Sequence, residues 1–286
     1  MSLPPRAHDG LSPSSLALFN TCRRQYFLKK VAKVPIDEDA SDDTEAFQVG
    51  KAFHKCLEDT MHVLDGYTYD RCNKVVTEEF DLDATTTPMI FAMLGKYRLI
   101  HAQAGLDCIA VEQPIDTPTF YGIVDAVLQA RDGSWWVSDS KTASSYSPSL
   151  PPTLPYHPQL NLYAAHAGDL AKVLCLDPEK FKGCRYRLVT KSRIAMKKSE
   201  GLQNYISRLG ESCRGFDFVL PKEIMVPAEV AAQHLAAKRH IDTFKDAEDY
   251  APNYGSCMNY FRPCVYWGQC HSTIHSKSPE LKVFTS

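Results

Sequence analysis

The chain has little that would tie it to a membrane or carry it across one. Among its 286 residues no apolar run approaches the roughly 20 needed to span a bilayer. Residues 1–9 hold no apolar signal-peptide core, so a cytoplasmic protein without a membrane partner is expected. Charge of one sign is also scarce. The formal net charge is −2, which excludes a strongly basic protein but not a local basic groove. No GxxxxGK[ST] phosphate loop is present, so no ATP motor is expected. There is no internal repeat.

What is present is ordinary in bulk and uneven in detail. Hydrophobic residues make up 44% and charged residues 23%, enough for a full core in one large domain or one domain with an appendage. The ten cysteines of a cytoplasmic chain read as thiols or metal ligands before disulfides. Six acids (Asp37, Glu38, Asp39, Asp42, Asp43, Glu45) crowd one segment, and removing them would turn the net charge from −2 to +4. Basic residues gather at Arg23, Arg24, Lys29, Lys30 and Lys33, and again at Lys191, Arg193, Lys197 and Lys198. Arg23, Arg24, Lys191 and Arg193 are the candidate nucleic-acid contacts. Either cluster alone reads equally well as a solvated helix face.

Ser12 before Pro13 marks a helix start, and Leu16, Phe19, Arg23, Tyr26 and Phe27 continue it to about residue 30. The acidic stretch after Pro35 reads as a mobile loop. A second helix is predicted over residues 45–64, burying Phe53, Leu57, Met61 and Leu64, and a third over 88–104. Strand-like runs follow at 108–115, 120–130 and 134–141, then a helix at 157–167, a strand at 184–190 and a helix at 228–244. Residues 192–221 read as mixed helix and loop, and the tail after Asp249 has little regular pattern.

The informative centre is Tyr121-Gly122-Ile123-Val124-Asp125, a turn at Arg131-Asp132-Gly133, and Trp135-Trp136-Val137-Ser138-Asp139-Ser140-Lys141. In such apolar strands Asp125, Asp139 and Lys141 are out of character. Alternation puts Asp139 and Lys141 on one face. Two carboxylates with a lysine suit a hard divalent cation that activates water and steadies a phosphoryl oxygen. A salt bridge at a strand end is the plainer alternative. A two-residue Asp132-Gly133 turn would pair Asp125 with Ser140, whereas a three-residue loop sets Asp125 opposite Asp139. Gly133 sits where the three-residue loop wants a left-handed residue, so that register is expected, with both carboxylates on one face. Two further pairs lie one helical turn apart: Gly50 with His54, followed by Glu58, and Gln159 with Tyr163. A packed or capping histidine is the plainer reading of His54.

Taken in order, Gly50-x-x-x-His54, Gly122-x-x-Asp125, Asp139-x-Lys141-Thr142 and Gln159-x-x-x-Tyr163 resemble the motifs of RecB-type PD-(D/E)xK nucleases. Leu11-Ser12-Pro13-Ser14-Ser15-Leu16 and Cys22-Arg23-Arg24-Gln25-Tyr26-Phe27 resemble the family's first helix, so the likeness runs over about residues 11–271. It implies a restriction-endonuclease-like α/β core, a mixed, mostly antiparallel sheet flanked by helices. It also implies Mg²⁺ or Mn²⁺ held by His54, Asp125, Asp139 and the Ser140 carbonyl. Lys141 would position the attacking water or stabilise charge on the phosphate. Gln159 and Tyr163 would organise the site and the scissile strand. Asp139 stands where the family often has glutamate. Glu58 and Glu112 are weaker candidates for the site, for which an ordinary surface acid is the plainer reading.

Cys257, Cys264 and Cys270 lie close together among Tyr260, Phe261, Tyr266 and Trp267, outside the simple CxxC zinc spacings. Three ligands leave one place open in a tetrahedral or cubane site. The resemblance supplies Cys22 as the fourth, in a 4Fe–4S staple joining the two ends of the chain. Zinc, with His271 as a substitute ligand, is the alternative, and inert thiols are a third reading. Cys56, Cys72, Cys108, Cys175, Cys184 and Cys213 read as packing residues.

The expected organisation is an N-terminal helix contributing to the cluster region (1–35), a nuclease core with helical insertions (45–248) and a cysteine-rich cluster region (249–286). The expected function is metal-dependent DNA hydrolysis, as an exonuclease on ends or single strands in recombination, repair or phage DNA metabolism. The alternatives are a CRISPR-adaptation accessory that trims spacers within a partner complex, which the chain's size also matches, and a non-catalytic DNA-binding module. Expected partners are DNA and a recombination, CRISPR-adaptation or phage replication protein. The compartment is bacterial cytoplasm, or that of the host if the chain is phage-encoded.

Overall fold

Alternating side chains over the middle of the chain build three consecutive strands, β1 (Asp107–Asp116), β2 (Tyr121–Gln129) and β3 (Trp135–Ala143). They belong to a computed structural model that describes residues 10–34, 45–62, 68–192, 194–244, 246–256, 258–259, 262–264, 266 and 270. The β2–β3 connection is the three-residue loop. Ala130 N–H donates to Ser134 O (2.8 Å) and Gly133 N–H to Ala130 O (2.9 Å), with Gly133 at φ +81°. Asp132 accepts from Ser134 N–H and Oγ (2.9 and 2.6 Å), which tightens the turn. The pairs Ala126–Ser138, Val127–Val137, Leu128–Trp136 and Gln129–Trp135 follow.

Two more strands complete the sheet in the order β1-β2-β3-β4-β5: β4 (Phe181–Thr190), parallel to β3, and β5 (Gly215–Pro221), antiparallel to β4. The parallel pairing requires a crossover, and helices supply it. These are α6 (Leu150–Thr153), α7 (Pro158–Ala165) and α8 (Ala167–Leu174). The sheet is therefore mixed and mostly antiparallel, as expected. Residues 192–221, read as helix and loop, contain α9 (Leu202–Ser212) and the edge strand β5. The Phe216-Asp217-Phe218 alternation is short, and its register is held by Asp217, which pairs with Arg185 of β4.

Three helices form an apolar layer: α3 (Glu45–His62), α4 (Tyr69–Lys74, continuing as a π-turn over Val75–Glu79) and α5 (Thr87–Ala104). Their inward faces bury Phe53, Leu57, Val76, Met93 and Tyr97 in one core with Val189 of β4. Helix α10 (Pro227–Thr243) follows β5.

By internal contacts the chain divides into two compact units, Met1–Pro13 with Asp43–Leu235, and Ser14–Asp42 with Ala236–Ser286. In the second, the predicted single helix to residue 30 is two: α1 (Pro13–Thr21) and α2 (Arg23–Tyr26), the latter running into a π-turn over Phe27–Val31. Cys22 between them is extended (φ −157°, ψ 111°). The Thr21 carbonyl accepts from Asn253 Nδ2 (2.8 Å), a tertiary partner that replaces continued helix. Phe19, Tyr26, Phe27 and Tyr250 pack as an aromatic cluster with ring centroids 5.1–6.4 Å apart. The tail carries a minimal hairpin, β6 (Met258–Asn259) with β7 (Arg262–Pro263).

Candidate active site

The β2–β3 ladder stops at Ala126–Ser138, and the site opens where the two strands part. The register extended by one residue sets Asp125 opposite Asp139. Ser140 N–H turns to the Asp125 carboxylate, donating to Oδ2 at 2.6 Å. Lys141 Nζ donates to Asp139 Oδ1 at 2.9 Å. The Asp139 side chain is 0% exposed, and its Oδ2 finds no hydrogen-bond partner among the described residues. Burial pushes the Asp139 carboxyl up to about 6, and the neighbouring Asp125 charge adds to the rise while Lys141 opposes it. Asp125 is raised too, again by burial, against Lys141 and the Ser140 N–H. Burial works against the Lys141 ammonium, yet the two carboxylates hold its pKa above the ordinary value. The cluster is short of positive charge.

Helix α3 brings His54 to the same place, its Nδ1 3.7 Å from Asp125 Oδ2. Burial, then Lys141, lowers its pKa to about 4, so the imidazole is neutral and has a lone pair to offer. His54, Glu58, Glu112, Asp125 and Ser140 line a cavity of about 10 Å³, at the lower limit for one water-sized occupant. Glu58 and Glu112 are therefore not ordinary surface acids. Burial, then Asp125 and Glu58, pushes Glu112 up to about 7. Glu58, which also pairs with Lys55 (2.9 Å), was detectable as the next turn after Gly50 and His54. Glu112 carried no local signal. It meets Asp125 through the β1–β2 register, between the pairs Val111–Ala126 and Gln113–Val124, in a left-handed conformation (φ 46°).

On α7, Gln159 Nε2 donates to the Tyr163 hydroxyl (2.8 Å), which donates to the Ile123 carbonyl of β2. A Cβ on Gly122 would stand 2.7 Å from the Phe120 ring and 3.0 Å from that of Tyr163, so glycine lets the tyrosine reach the strand. The pair braces β2 two residues from Asp125. Sequence reasoning missed Tyr97 of α5. Its hydroxyl accepts from Ser140 Oγ and from Arg187 Nη1, each at 3.2 Å, behind the site.

The candidate nucleic-acid contacts divide between the two units. Lys191 Nζ donates to the Ala46 carbonyl (2.7 Å), and Arg193 lies outside the described residues. In the second unit, Arg24 Nε donates to Tyr250 O (2.9 Å) and Arg23 lies over the Phe19 ring (5.2 Å). Cys22, Cys264 and Cys270 are free thiols, and Cys257 and His271 lie outside the described residues. Burial raises the Cys270 thiol, Arg24 lowers it, and Cys22 and Cys264 raise it.

Among the described residues no group of three or more His, Cys, Asp or Glu closes on one point as metal ligands. In the Asp125–Asp139–Lys141 cluster the reason is visible. Lys141 holds one Asp139 oxygen, Ser140 N–H holds one of Asp125, and the carboxylates repel. The donor chemistry nonetheless fits a hard cation: a neutral imidazole, two carboxylates and a buried carboxylate oxygen without a partner. No curated protein matches the chain. The model of one family does, over residues 10–271, on a five-stranded α/β sheet with paired aspartates and a lysine at its parting strands. The chain belongs to the PD-(D/E)XK nuclease superfamily.

Proposed function

We propose that the protein is a divalent-metal-dependent deoxyribonuclease, an exonuclease acting on DNA ends or single strands. The observation that carries this is the buried, unpartnered Asp139 Oδ2 beside a second raised carboxylate, Asp125. Family membership supports DNA as substrate and Mg²⁺ or Mn²⁺ as the ion. His54, Asp125, Asp139 and the Ser140 carbonyl would hold the ion, which when bound supplies an activated water and neutralises phosphate charge. Lys141, held by Asp139, keeps its proton and places a positive charge where a scissile phosphate would lie. Gln159 and Tyr163 hold β2, and with it Asp125, at a fixed height. Purified protein on end-labelled single- and double-stranded DNA should cut only with Mg²⁺ or Mn²⁺, with Mn²⁺ at least as effective because His54 adds a nitrogen donor. Normal cutting by Asp139→Ala would overturn the assignment.

Cys22, Cys257, Cys264 and Cys270 are assigned in the same reading to a 4Fe–4S cluster. Support comes from Cys270, whose thiol is raised by burial and by Cys22 and Cys264. Anaerobically purified protein should be brown, with about four irons per chain, and Cys22→Ala should lose colour and stability together. A colourless protein with one zinc would move the site to zinc. Among the described residues no helix is long and apolar enough to cross a membrane. A recombination, CRISPR-adaptation or phage replication pathway fits such an enzyme.

A further inference from the structure

The face of the sheet that carries Asp139 and Lys141 does not end at β3. Asp139 pairs with Tyr186 and Tyr186 with Phe218; Lys141 pairs with Leu188 and Leu188 with Phe216. Because side chains alternate, these two rows lie on one face, running from the carboxylates across β4 to the edge strand. The far end of the rows is aromatic. Tyr146, in the segment after β3, stacks on Phe216 (centroids 4.4 Å, 18° between planes). Phe216 and Phe218 lie 5.9 Å apart and 6° from parallel, and Tyr146 and Phe218 are 13° apart. Three rings thus share one orientation, and all three keep part of their surface accessible.

Beside the rings lies a groove of about 460 Å³, lined by Ser144, Ser145, Tyr146, Thr190, Lys191 and Arg214. Among the described residues its walls carry a guanidinium and an ammonium and no carboxylate. Aligned aromatic plates next to a cationic groove are the combination that grips an unpaired strand: phosphates follow the charge and bases stack on the rings. A duplex keeps its bases stacked on one another and offers the rings nothing. Phe216 lies two strand spacings from Lys141, roughly 10 Å, within reach of nucleotides next to a phosphate held at the site.

We infer that Tyr146, Phe216 and Phe218, with Arg214 and Lys191, form a base-stacking platform for single-stranded DNA leading into the Asp139–Lys141 site. This rests on the nuclease reading for its purpose, but it is tested by binding alone. Fluorescein-labelled dT12 is titrated with the full chain in EDTA, where no cutting occurs, and anisotropy is read. The single strand should bind at least tenfold more tightly than a duplex of the same length. Tyr146→Ala should weaken dT12 binding about tenfold, the scale of one lost base–aromatic stack. Tyr146→Phe should restore it, and an abasic 12-mer should bind both proteins alike. Tyr146 lies on a surface segment, so it decides the matter even if Phe216→Ala fails to fold. Equal binding of dT12 by wild type and Tyr146→Ala, or of duplex and single strand, would overturn the platform. If the binding differences hold but the wild type with Mn²⁺ cuts nothing, the nuclease reading fails and the platform stands. The reverse pattern leaves the nuclease and removes the platform.

Discussion

The two faces of β3 and β4 handle buried charge in opposite ways. On one, Arg185 and Arg187 share a single carboxylate, Asp217, with Arg185 Nη2 at 2.7 Å and Arg187 Nε at 3.4 Å from Oδ2. On the other, Asp125 and Asp139 share a single ammonium, Lys141. The arginine face has a surplus of cations and the aspartate face a surplus of anions. An arginine cannot shed its proton, so its surplus is met in part by groups the fold itself supplies. Arg187 Nη1 donates to the Tyr97 hydroxyl (3.2 Å) and lies 3.1 Å from His101 Nδ1. Burial, then Arg187, lowers the pKa of that imidazole, so it is neutral and accepts. No such supply exists for Asp139 Oδ2 among the described residues. Neither face is fully satisfied by the described residues, since Arg187 Nε and Nη2 also find no hydrogen-bond partner. The arginine face keeps Asp217 Oδ2 within 3.4 Å of its buried guanidinium, whereas the aspartate face is left with an anionic surplus that a cation would balance.

The contrast breaks most visibly at Asp139. Asp139→Asn should lower cutting by about a thousandfold or more, the order seen when a main electrostatic contact at a reacting centre is lost. In EDTA the same variant should melt no lower than wild type, because a buried like-charge pair has been relieved. Mn²⁺ at a hundredfold its dissociation constant should stabilise wild type by about 2.7 kcal/mol and Asp139→Asn by much less. A large drop in melting temperature in EDTA would make Asp139 a structural residue.

Arg187→Met should show the opposite profile. Removing a fully buried guanidinium and its ion pair should destabilise by about 3 kcal/mol, read as a shifted urea midpoint. Cutting per folded molecule should fall by no more than severalfold. Unchanged stability would mean that the arginine face is not held by this pair.

The smallest effect sharpens the link between the faces. Tyr97→Phe removes the hydroxyl that accepts from both Ser140 Oγ and Arg187, and should cost about 1 kcal/mol. Its functional mark should be a weaker apparent affinity for Mn²⁺, since Ser140 presents its backbone to the site. A stability loss without any change in metal dependence would confine Tyr97 to packing.

Much of the β2–β3 hairpin was readable from local rules. Arg131-Asp132-Gly133 closes as a three-residue loop because glycine takes φ +81° and Asp132 ties down Ser134, and that loop alone fixes which residues oppose. The helices α3 and α5 followed from apolar spacing within a residue or two of their N-terminal ends. Where the reading failed, a distant group had intervened. Helical spacing runs straight through Cys22, but Asn253 captures the Thr21 carbonyl from far along the chain. Asp217 is an ordinary acid in a short run until Arg185 and Arg187 select it as the partner that registers β5.

By itself, then, the sequence determined the helices α3 and α5, the hairpin register, and the positions of Asp125, Asp139 and Lys141 within it. Periodicity and turn chemistry depend on neighbours a few residues apart, which any local stretch contains. Only the tertiary structure decided that Glu58 and Glu112 stand at the cavity wall with His54, that Tyr97 backs Ser140, and that one oxygen of Asp139 is left without a partner among the described residues. Those relations join α3, α5, β1 and β3. They exist because packing helices against a sheet fixes which distant side chains share a desolvated space, and burial there raises the carboxyls' pKa and leaves a cation as the group that would complete them.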